Sequence, residues 1–219
     1  LHYTLLPDGR FFYASEIKSL LAHPDFVREF NDSALDHYLS FQYSVPRETF
    51  FKNVYCLPPA HYLWFRDGQV TEHRYWEPRL EPDEAMTLDQ AVVSIDNAFT
   101  DSVEAHRISD VEVGCFLSGG VDSSFVASYF GGQKAFTVGF DNGSHYNECQ
   151  YAAELAQEIG IDHYTHLIGE EEYWASLPDV QYHLDQPLAD PSCVALYFVS
   201  KLAAEHVKVV LSGEGADEL

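Results

Sequence analysis

Short apolar runs alternate with amphipathic stretches along residues 87–219. β-rich apolar runs predict strands over 111–117, 135–140, 163–168 and 207–211. Apolar residues at helical spacing predict helices over 87–106, 121–130, 148–159, 170–184 and 192–205. Repeated strand and helix units with apolar strands are typical of a parallel sheet that is covered by helices on both faces. The pattern therefore predicts an α/β fold for this part of the chain.

Residues 1–76 carry shorter elements. Turn sequences between apolar runs predict hairpins over 1–14 and 61–76, and helical spacing predicts helices over 16–22 and 32–42. In the second of these helices, Leu35, Tyr38 and Leu39 are predicted to form the buried face. This mixture of local strands and short helices predicts an α+β domain.

A polar, proline-containing segment at 77–84 separates the two patterns, and its composition is typical of a linker. We therefore expect domains over 1–78 and 87–219, joined by a linker over 79–86. Thr87 with Gln90 predicts a capping box that begins a long helix. The predicted buried face of that helix consists of Val92, Ile95, Phe99 and Val103.

Composition limits the function classes that the chain can serve. Of its 219 residues 46% are hydrophobic, and no apolar run approaches the ~18 residues that a membrane span requires. We expect a soluble, cytoplasmic protein with reduced cysteines, since the four cysteines form no metal-binding or disulfide pattern. Residues 81–219 contain 25 acids and 4 bases, which argues against nucleic-acid binding. A nucleotide site there must rely on backbone amides and a metal ion, or on basic residues outside this sequence.

A glycine-rich turn, Ser118-Gly119-Gly120, follows the first strand of the α/β part and leads directly into a helix. Amides at the start of a helix lack intrahelical partners, and adjacent glycines let a phosphate oxygen approach the backbone. The hydroxyls of Ser118, Ser123 and Ser124 add donors. The pattern predicts an anion site, with an ordinary tight turn as the alternative.

This turn has no Walker lysine and carries Asp122 instead. An acid beside bound phosphates requires a cation between them, so the sequence predicts Mg²⁺ with a polyphosphate. A second glycine-rich turn, 212–218, follows the last predicted strand and contains three acids. Both turns are expected at the carboxyl edge of the sheet, where ligands of open α/β sheets bind. A solvated acidic loop is the alternative for the second turn.

The segment Ser118-Gly-Gly-Val-Asp-Ser123 resembles the PP-loop of the ATP pyrophosphatases. With four other segments it resembles the glutamine-hydrolysing asparagine synthetases over the whole chain. Those segments are Tyr13-Ala-Ser-Glu-Ile-Lys18, Leu57-Pro-Pro-Ala-His-Tyr-Leu63, Phe136-Thr-Val-Gly-Phe140 and Val210-Leu-Ser-Gly-Glu-Gly-Ala-Asp-Glu218. The resemblance implies an adenine-nucleotide alpha hydrolase-like PP-loop domain, preceded by part of an α+β Ntn-type glutaminase domain. It implies that ATP and Mg²⁺ support asparagine synthesis from aspartate through β-aspartyl-AMP, with ammonia from glutamine.

The resemblance also implies roles for individual residues. Those expected to bind ATP are Leu117, Ser118, Gly119, Gly120, Asp122, Ser123, Ser124, Val138, Ser212 and Gly213. Leu117 and Val138 should hold the adenosine mainly through backbone groups, and the side chain of Val138 equally suits the core. Glu214 is expected to act in forming or attacking the acyl-adenylate. Asp122 and Asp217 are the expected metal ligands and share in catalysis.

The sequence departs from the family at several points. Residues 1–76 resemble only the end of the glutaminase domain, without the family's N-terminal cysteine nucleophile, and the chain stops soon after the second turn. We therefore expect a fragment that is inactive alone. Residues 185–192 contain no arginine, where many members carry Thr-Thr-x-Arg near the aspartate pocket, so the residues that bind the substrate carboxylates are unassigned.

Two other functions stay open from the sequence. One is another acyl-adenylating amidotransferase of the same architecture, such as a β-lactam synthetase-like enzyme or an amidating enzyme of peptide or cell-surface pathways. The other is a non-catalytic nucleotide-binding module. Aspartate and glutamine or ammonia are the expected partners, with no nucleic acid and no membrane, and a homodimer is one of the oligomeric states left open.

Overall fold

The computed structural model describes residues 1–44, 47–141 and 148–216. The chain divides into two units: the first consists of Leu1–Pro82 with Pro178–Asp190, and the second of Asp83–Leu177 with the residues from Pro191 onwards. Within the described parts, no helix combines the length and the apolar character that crossing a membrane would require.

The first unit contains two antiparallel sheets and two helices. Its strands are β1 (His2–Leu5), β2 (Phe11–Ala14), β3 (Tyr55–Cys56), β4 (His61–Arg66) and β5 (Gln69–Arg74). The sheet orders are β2-β1-β3 and β4-β5, which confirms both predicted hairpins. The helices are α1 (Ile17–Leu21) and α2 (Asp32–Phe41). Ile17, Leu20 and Val54 form the small core of this unit.

The predicted buried face of α2 is wrong in part. Leu39 is 73% exposed and Leu35 is 37% exposed, whereas Ala34 is buried. Tyr38 contacts Phe50 edge-on, with 5.6 Å between ring centroids. The helix therefore packs through its small residue and its tyrosine. Leu35 instead lines an open apolar cavity of about 510 Å³.

The second unit contains a four-stranded parallel sheet of order β8-β7-β6-β9. Its strands are β6 (Val113–Phe116), β7 (Lys134–Phe140), β8 (Asp162–Ile168) and β9 (Val209–Leu211). Its helices are α3 (Leu88–His106), α4 (Val121–Phe130), α5 (Cys149–Ile159), the first part of α6 (Glu170–Leu184) and α7 (Ser192–Ala204). The structure confirms the predicted α/β alternation and the parallel sheet.

Helices cover both faces of this sheet. Ala127 of α4 and Ala152 and Ala156 of α5 belong to the core cluster that also contains Cys115 of β6 and Ala135 of β7. On the opposite face, α7 packs on the sheet. The second core cluster contains Phe136, Val199, Ala203 and Val207. The small side chains of α5 let its backbone approach the strands closely.

Local signals set the start of α3 and the end of α5, and both lie where the sequence predicted them. Thr87 and Gln90 form the reciprocal capping box at the start of α3. Gly160 ends α5 in the left-handed conformation, with φ of 71°, which glycine adopts without steric cost. The predicted buried face of α3 is wrong in its first half, because Val92 and Ile95 are 57% and 62% exposed.

The strands β6 and β9 are shorter than predicted. Val111 is 47% exposed, and the carboxylate of Glu112 pairs with Lys134 at 2.8 Å, before β6 begins its ladder at Val113. Val207 is buried in the core, but the strand that follows it begins at Val209. The first residues of these two apolar runs therefore lie outside the sheet ladder: Val111 faces solvent and Val207 packs in the core.

Residues 185 and 186 belong to the first unit, and their side chains bind other parts of that unit. The Asp185 carboxylate accepts hydrogen bonds from the amides of Ile17 and Lys18, at 2.5 and 3.2 Å, and pairs with the Lys18 ammonium at 2.9 Å. Gln186 Oε1 accepts a hydrogen bond from the amide of Phe50 at 2.9 Å. Burial raises the pKa of Asp185, but Lys18 and the two amides outweigh burial, so the net pKa is lowered.

Candidate functional site

The Ser118-Gly119-Gly120 turn lies at the carboxyl end of β6 and leads into the first turn of α4. Gly120 is the residue that precedes the helix, with an extended backbone at φ −78° and ψ 159°. The Ser118 amide donates to Ser123 Oγ and the Gly120 amide donates to Ser118 Oγ, both at 3.1 Å, and the two hydroxyl oxygens are 2.7 Å apart. Serine side chains thus hold the turn in shape, and their hydroxyls line the positive end of a helix.

A carboxylate accepts a hydrogen bond from the remaining amide of this turn. The Gly119 amide donates to Glu148 Oε2 at 3.2 Å, across 29 residues of sequence. A Cβ at Gly119 would lie 3.1 Å from the Cβ of Glu148 and 3.2 Å from that of Tyr151, so the fit is tight. The sequence analysis did not predict Glu148 as a site residue, although Glu148 directly precedes α5, the helix that follows β7. Its carboxylate takes a backbone donor that a phosphate oxygen would use.

The second glycine-rich turn packs directly on the first turn of α4. β9 lies beside β6, with Cys115 opposite Leu211. A Cβ on Gly213 would lie 2.8 Å from the amide nitrogen of Ser123 and 2.9 Å from the carbonyl carbon of Asp122. Only a residue without a side chain fits such a backbone approach. Both turns thus lie at the carboxyl edge of the sheet, as predicted, and the structure shows in addition that they contact each other.

The acids of the predicted site face solvent. Asp122 is exposed in the first turn of α4, and Glu214 is exposed in the second turn, where its amide donates to Ser212 Oγ at 3.1 Å. Ser124 is half-buried, and its amide closes the first helical turn onto Gly120. Asp217 lies outside the described residues. The described residues include no group of three or more metal-ligating side chains.

Leu117 and Val138 lie inside the sheet next to these turns. Leu117 is 1% exposed, its side chain belongs to the core below α4 and α5, and its amide donates to the carbonyl of Phe136 at 2.9 Å. The Val138 side chain packs against the core cluster under α7. Both side chains are therefore core residues, and any contact with a nucleotide falls to their backbone groups.

Fold and site together define an α/β protein with two glycine-rich turns in contact at the carboxyl edge of its parallel sheet. The family model described as asparagine synthase matches residues 94–219, and the model described as glutamine amidotransferase domain matches residues 1–76. The chain belongs to the asparagine synthase family.

The chain is also similar to individual proteins. The chain is 40% identical to glutamine-hydrolysing asparagine synthetase 1 of Bacillus subtilis, over 100% of the chain and 35% of that protein. It is 30% identical to the amidase chyE of Penicillium rubens, again over 100% of the chain and 35% of that protein. The solved structure of NMN synthetase from Francisella tularensis matches with a TM-score of 0.40 and 24% identity, over 61% of the chain and 57% of the structure. The chain thus spans about a third of the length of the asparagine synthetase and of the amidase.

Proposed function

We propose that the full-length protein containing this chain synthesises asparagine from aspartate with ATP, through a β-aspartyl-AMP intermediate. The observation that carries the proposal is the contact of the two glycine-rich turns, with Gly213 against the backbone of Asp122 and Ser123. The family assignment of residues 94–219 supports it. The relative from Bacillus subtilis is named a glutamine-hydrolysing asparagine synthetase.

In this proposal the first turn binds the phosphates. Four donors exchange their internal hydrogen bonds for bonds to the pyrophosphate oxygens. They are the amides of Ser118, Gly119 and Gly120 and the hydroxyl of Ser123. The Ser124 hydroxyl adds a donor one residue further along the helix. The carboxylate of Glu148 leaves the Gly119 amide at the same time, because a phosphate oxygen at this amide would lie beside the carboxylate and the two like charges repel. The aligned peptide dipoles at the start of α4 favour the negative charge.

The remaining nucleotide contacts come from neighbouring strand ends. Leu117 and Val138 bind the adenosine through backbone groups, and Ser212 with Gly213 lies beside the AMP part. Gly213 keeps the second turn close enough to the first for one nucleotide to contact both.

Asp122 is the described residue that fits a Mg²⁺ ion. Mg²⁺ in nucleotide sites is held by one or two carboxylates together with substrate phosphates and waters, so it needs no three-ligand cage of side chains. Asp122 is exposed at the phosphate-binding end of α4, and Asp217 is the second proposed ligand. The ion would neutralise charge on the phosphates and offset the large acidic excess of residues 81–219.

The reaction proceeds in two proposed steps. A carboxylate oxygen of aspartate attacks the α-phosphorus of ATP, and the bond to pyrophosphate breaks. Ammonia then attacks the acyl carbon, AMP leaves with the bridging oxygen, and asparagine forms. Glu214 takes a proton from the attacking ammonia, a role that suits a carboxylate beside the reacting carbon.

Glutamine is the proposed source of ammonia in the full-length protein. The amidotransferase match at residues 1–76 supports this source. We propose that residues 1–78 are the end of that domain, that 79–86 form the linker, and that 87–219 begin the synthetase domain.

Two substitutions in the full-length protein test the proposal. Asp122→Asn should abolish pyrophosphate release, because the phosphates lose their metal bridge. Glu214→Gln should keep ATP binding while asparagine formation falls. Near-normal synthesis by Asp122→Asn would contradict the metal bridge. Full turnover by Glu214→Gln would contradict its role as base.

The nature of the acceptor needs its own assay, because one relative is an amidase. Wild-type protein should release pyrophosphate with MgATP and aspartate, and should form asparagine when ammonia is added. Turnover with another carboxylic acid but not with aspartate would favour a different amidotransferase of this architecture. An absence of MgATP binding in calorimetry would favour a non-catalytic role.

A further inference from the structure

A chain of polar groups, buried at Thr137 and half-buried at His163, crosses three neighbouring strands next to the Ser118-Gly119-Gly120 turn, which is the proposed nucleotide turn. Thr137 on β7 is 2% exposed, and its hydroxyl contacts the carbonyl oxygen of Leu117 at the end of β6. The same hydroxyl oxygen lies 2.7 Å from Nε2 of His163 on β8. The chain therefore ends on the residue that directly precedes the Ser118-Gly119-Gly120 turn.

The chemistry of the three groups fixes the direction of the hydrogen bonds. A carbonyl oxygen only accepts, so the Thr137 hydroxyl must donate its single hydrogen to Leu117. The hydroxyl oxygen can then only accept from His163, so Nε2 of the imidazole carries a hydrogen. Burial lowers the pKa of His163, which favours the neutral ring, and the contact with Thr137 then places the hydrogen of that ring on Nε2.

The Thr137 hydroxyl binds the carbonyl of Leu117, and a separate backbone bond holds the amide of the same residue. The Leu117 amide already donates to the carbonyl of Phe136 at 2.9 Å. With the Thr137 bond, both the amide and the carbonyl are held, and the peptide that leads into Ser118 has a fixed orientation. The turn begins at the next residue, so the orientation of this peptide sets where the turn's amides point.

We infer that Thr137 and His163 are positioning residues for the nucleotide turn. The inference rests on the proposed function, because it deepens the account of the ATP site. The alternative is a histidine and a threonine that merely satisfy each other in the core. Replacing a buried pair by apolar groups of the same shape can leave stability almost unchanged, so stability alone does not separate the two explanations. A hydrogen-bonded chain with a buried member also restricts the orientation of the groups it joins, and an anion site needs its donors in a fixed orientation.

Thr137→Val in the full-length protein is the main test. It keeps the shape of the side chain and removes the donor, and ATP affinity measured by calorimetry should fall about tenfold, as expected for a misdirected binding turn. Thr137→Ser restores the hydroxyl and should bind ATP within about twofold of wild type. Thr165→Val makes the same change at the exposed register partner on β8 and should have no effect. Unchanged ATP affinity in folded Thr137→Val would overturn the inference.

A second pair of variants covers a failure of Thr137→Val to fold. His163→Gln keeps an N–H donor at comparable reach, and His163→Leu removes it. ATP affinity should stay near wild type in the first and fall in the second. Equal affinity of the two variants would contradict a positioning role.

Hydrogen exchange separates this inference from the proposed function, because it needs no ATP. Loss of the Thr137 hydroxyl should speed exchange in a peptide that contains the Leu117 and Ser118 amides, while a peptide from α7 keeps its rate. If wild-type protein binds no ATP but this local effect is present, the proposed function fails and the structural link stands. If exchange near Ser118 is unchanged in Thr137→Val, the link itself is wrong.

Discussion

Gly213→Ala tests the contact between the two glycine-rich turns most selectively. The new Cβ would lie 2.8 Å from the Ser123 amide nitrogen, whereas ordinary contact begins at 3.4 Å, a shortfall of about 0.6 Å. The neighbours are backbone atoms of Asp122 and Ser123, so no flexible side chain can move aside. We expect a cost of about 1–3 kcal/mol, taken up by separation of the second turn from α4. A displacement of that size at a reacting site lowers turnover by up to about 100-fold.

The assay is pyrophosphate release by the full-length protein at saturating MgATP and aspartate, with folding checked by circular dichroism. Gly169→Ala is the matched control, because a Cβ there meets nothing within 4 Å. Neither glycine has a positive φ, so backbone strain does not differ between them. A folded Gly213→Ala protein with wild-type rates would refute the claim that one nucleotide contacts both turns.

Three further predictions concern charge and burial. The folded pKa of Asp185 is lowered, so its contribution to stability is present above the unfolded value of about 3.9 and is lost as pH falls through the folded value. Asp185→Asn should therefore lower the denaturation midpoint at pH 7, at a cost of about 1–3 kcal/mol, and should reduce the midpoint's dependence on pH below about 4; an unchanged midpoint at pH 7 would contradict this. Glu148→Gln should strengthen metal-free pyrophosphate binding about two- to fivefold in calorimetry, because a competing anion leaves the Gly119 amide, and weaker binding would contradict the competition. Burial raises the pKa of the Cys115 thiol to about 12, so a thiol reagent at pH 8 should modify Cys56 well before Cys115, as peptide mapping would reveal; equal rates in the folded protein would be inconsistent with this burial.

Local signals account for most of the fold that the sequence predicted. The bounds of α4 and α6 agree with prediction, the Thr87 capping box begins α3 as expected, and α5 ends at Ile159 as predicted. The buried faces were harder to predict. Periodicity tells which residues share a face of a helix, but packing decides which part of that face is covered. Val92 and Leu39 have the right spacing for burial and are exposed.

The site was predictable where topology alone determines it. The strand pattern placed both glycine-rich turns at the carboxyl edge of a parallel sheet. It did not give the strand order, and the contact of Gly213 with the start of α4 depends on β9 lying beside β6. The contact of Glu148 with Gly119 spans 29 residues, and that of Asp185 with Ile17 spans 168. No spacing or motif links these partners in the sequence, because each contact depends on the three-dimensional placement of residues outside the strands.

The most direct test of the central claim follows one oxygen atom through the reaction. Full-length protein is given MgATP, ammonia and aspartate labelled with ¹⁸O in its side-chain carboxylate, and the products are analysed by mass spectrometry. Adenylation predicts one ¹⁸O atom in AMP, because AMP leaves with the carboxylate oxygen that attacked the α-phosphorus. Label in inorganic phosphate with ADP as coproduct, or unlabelled AMP, would contradict the account.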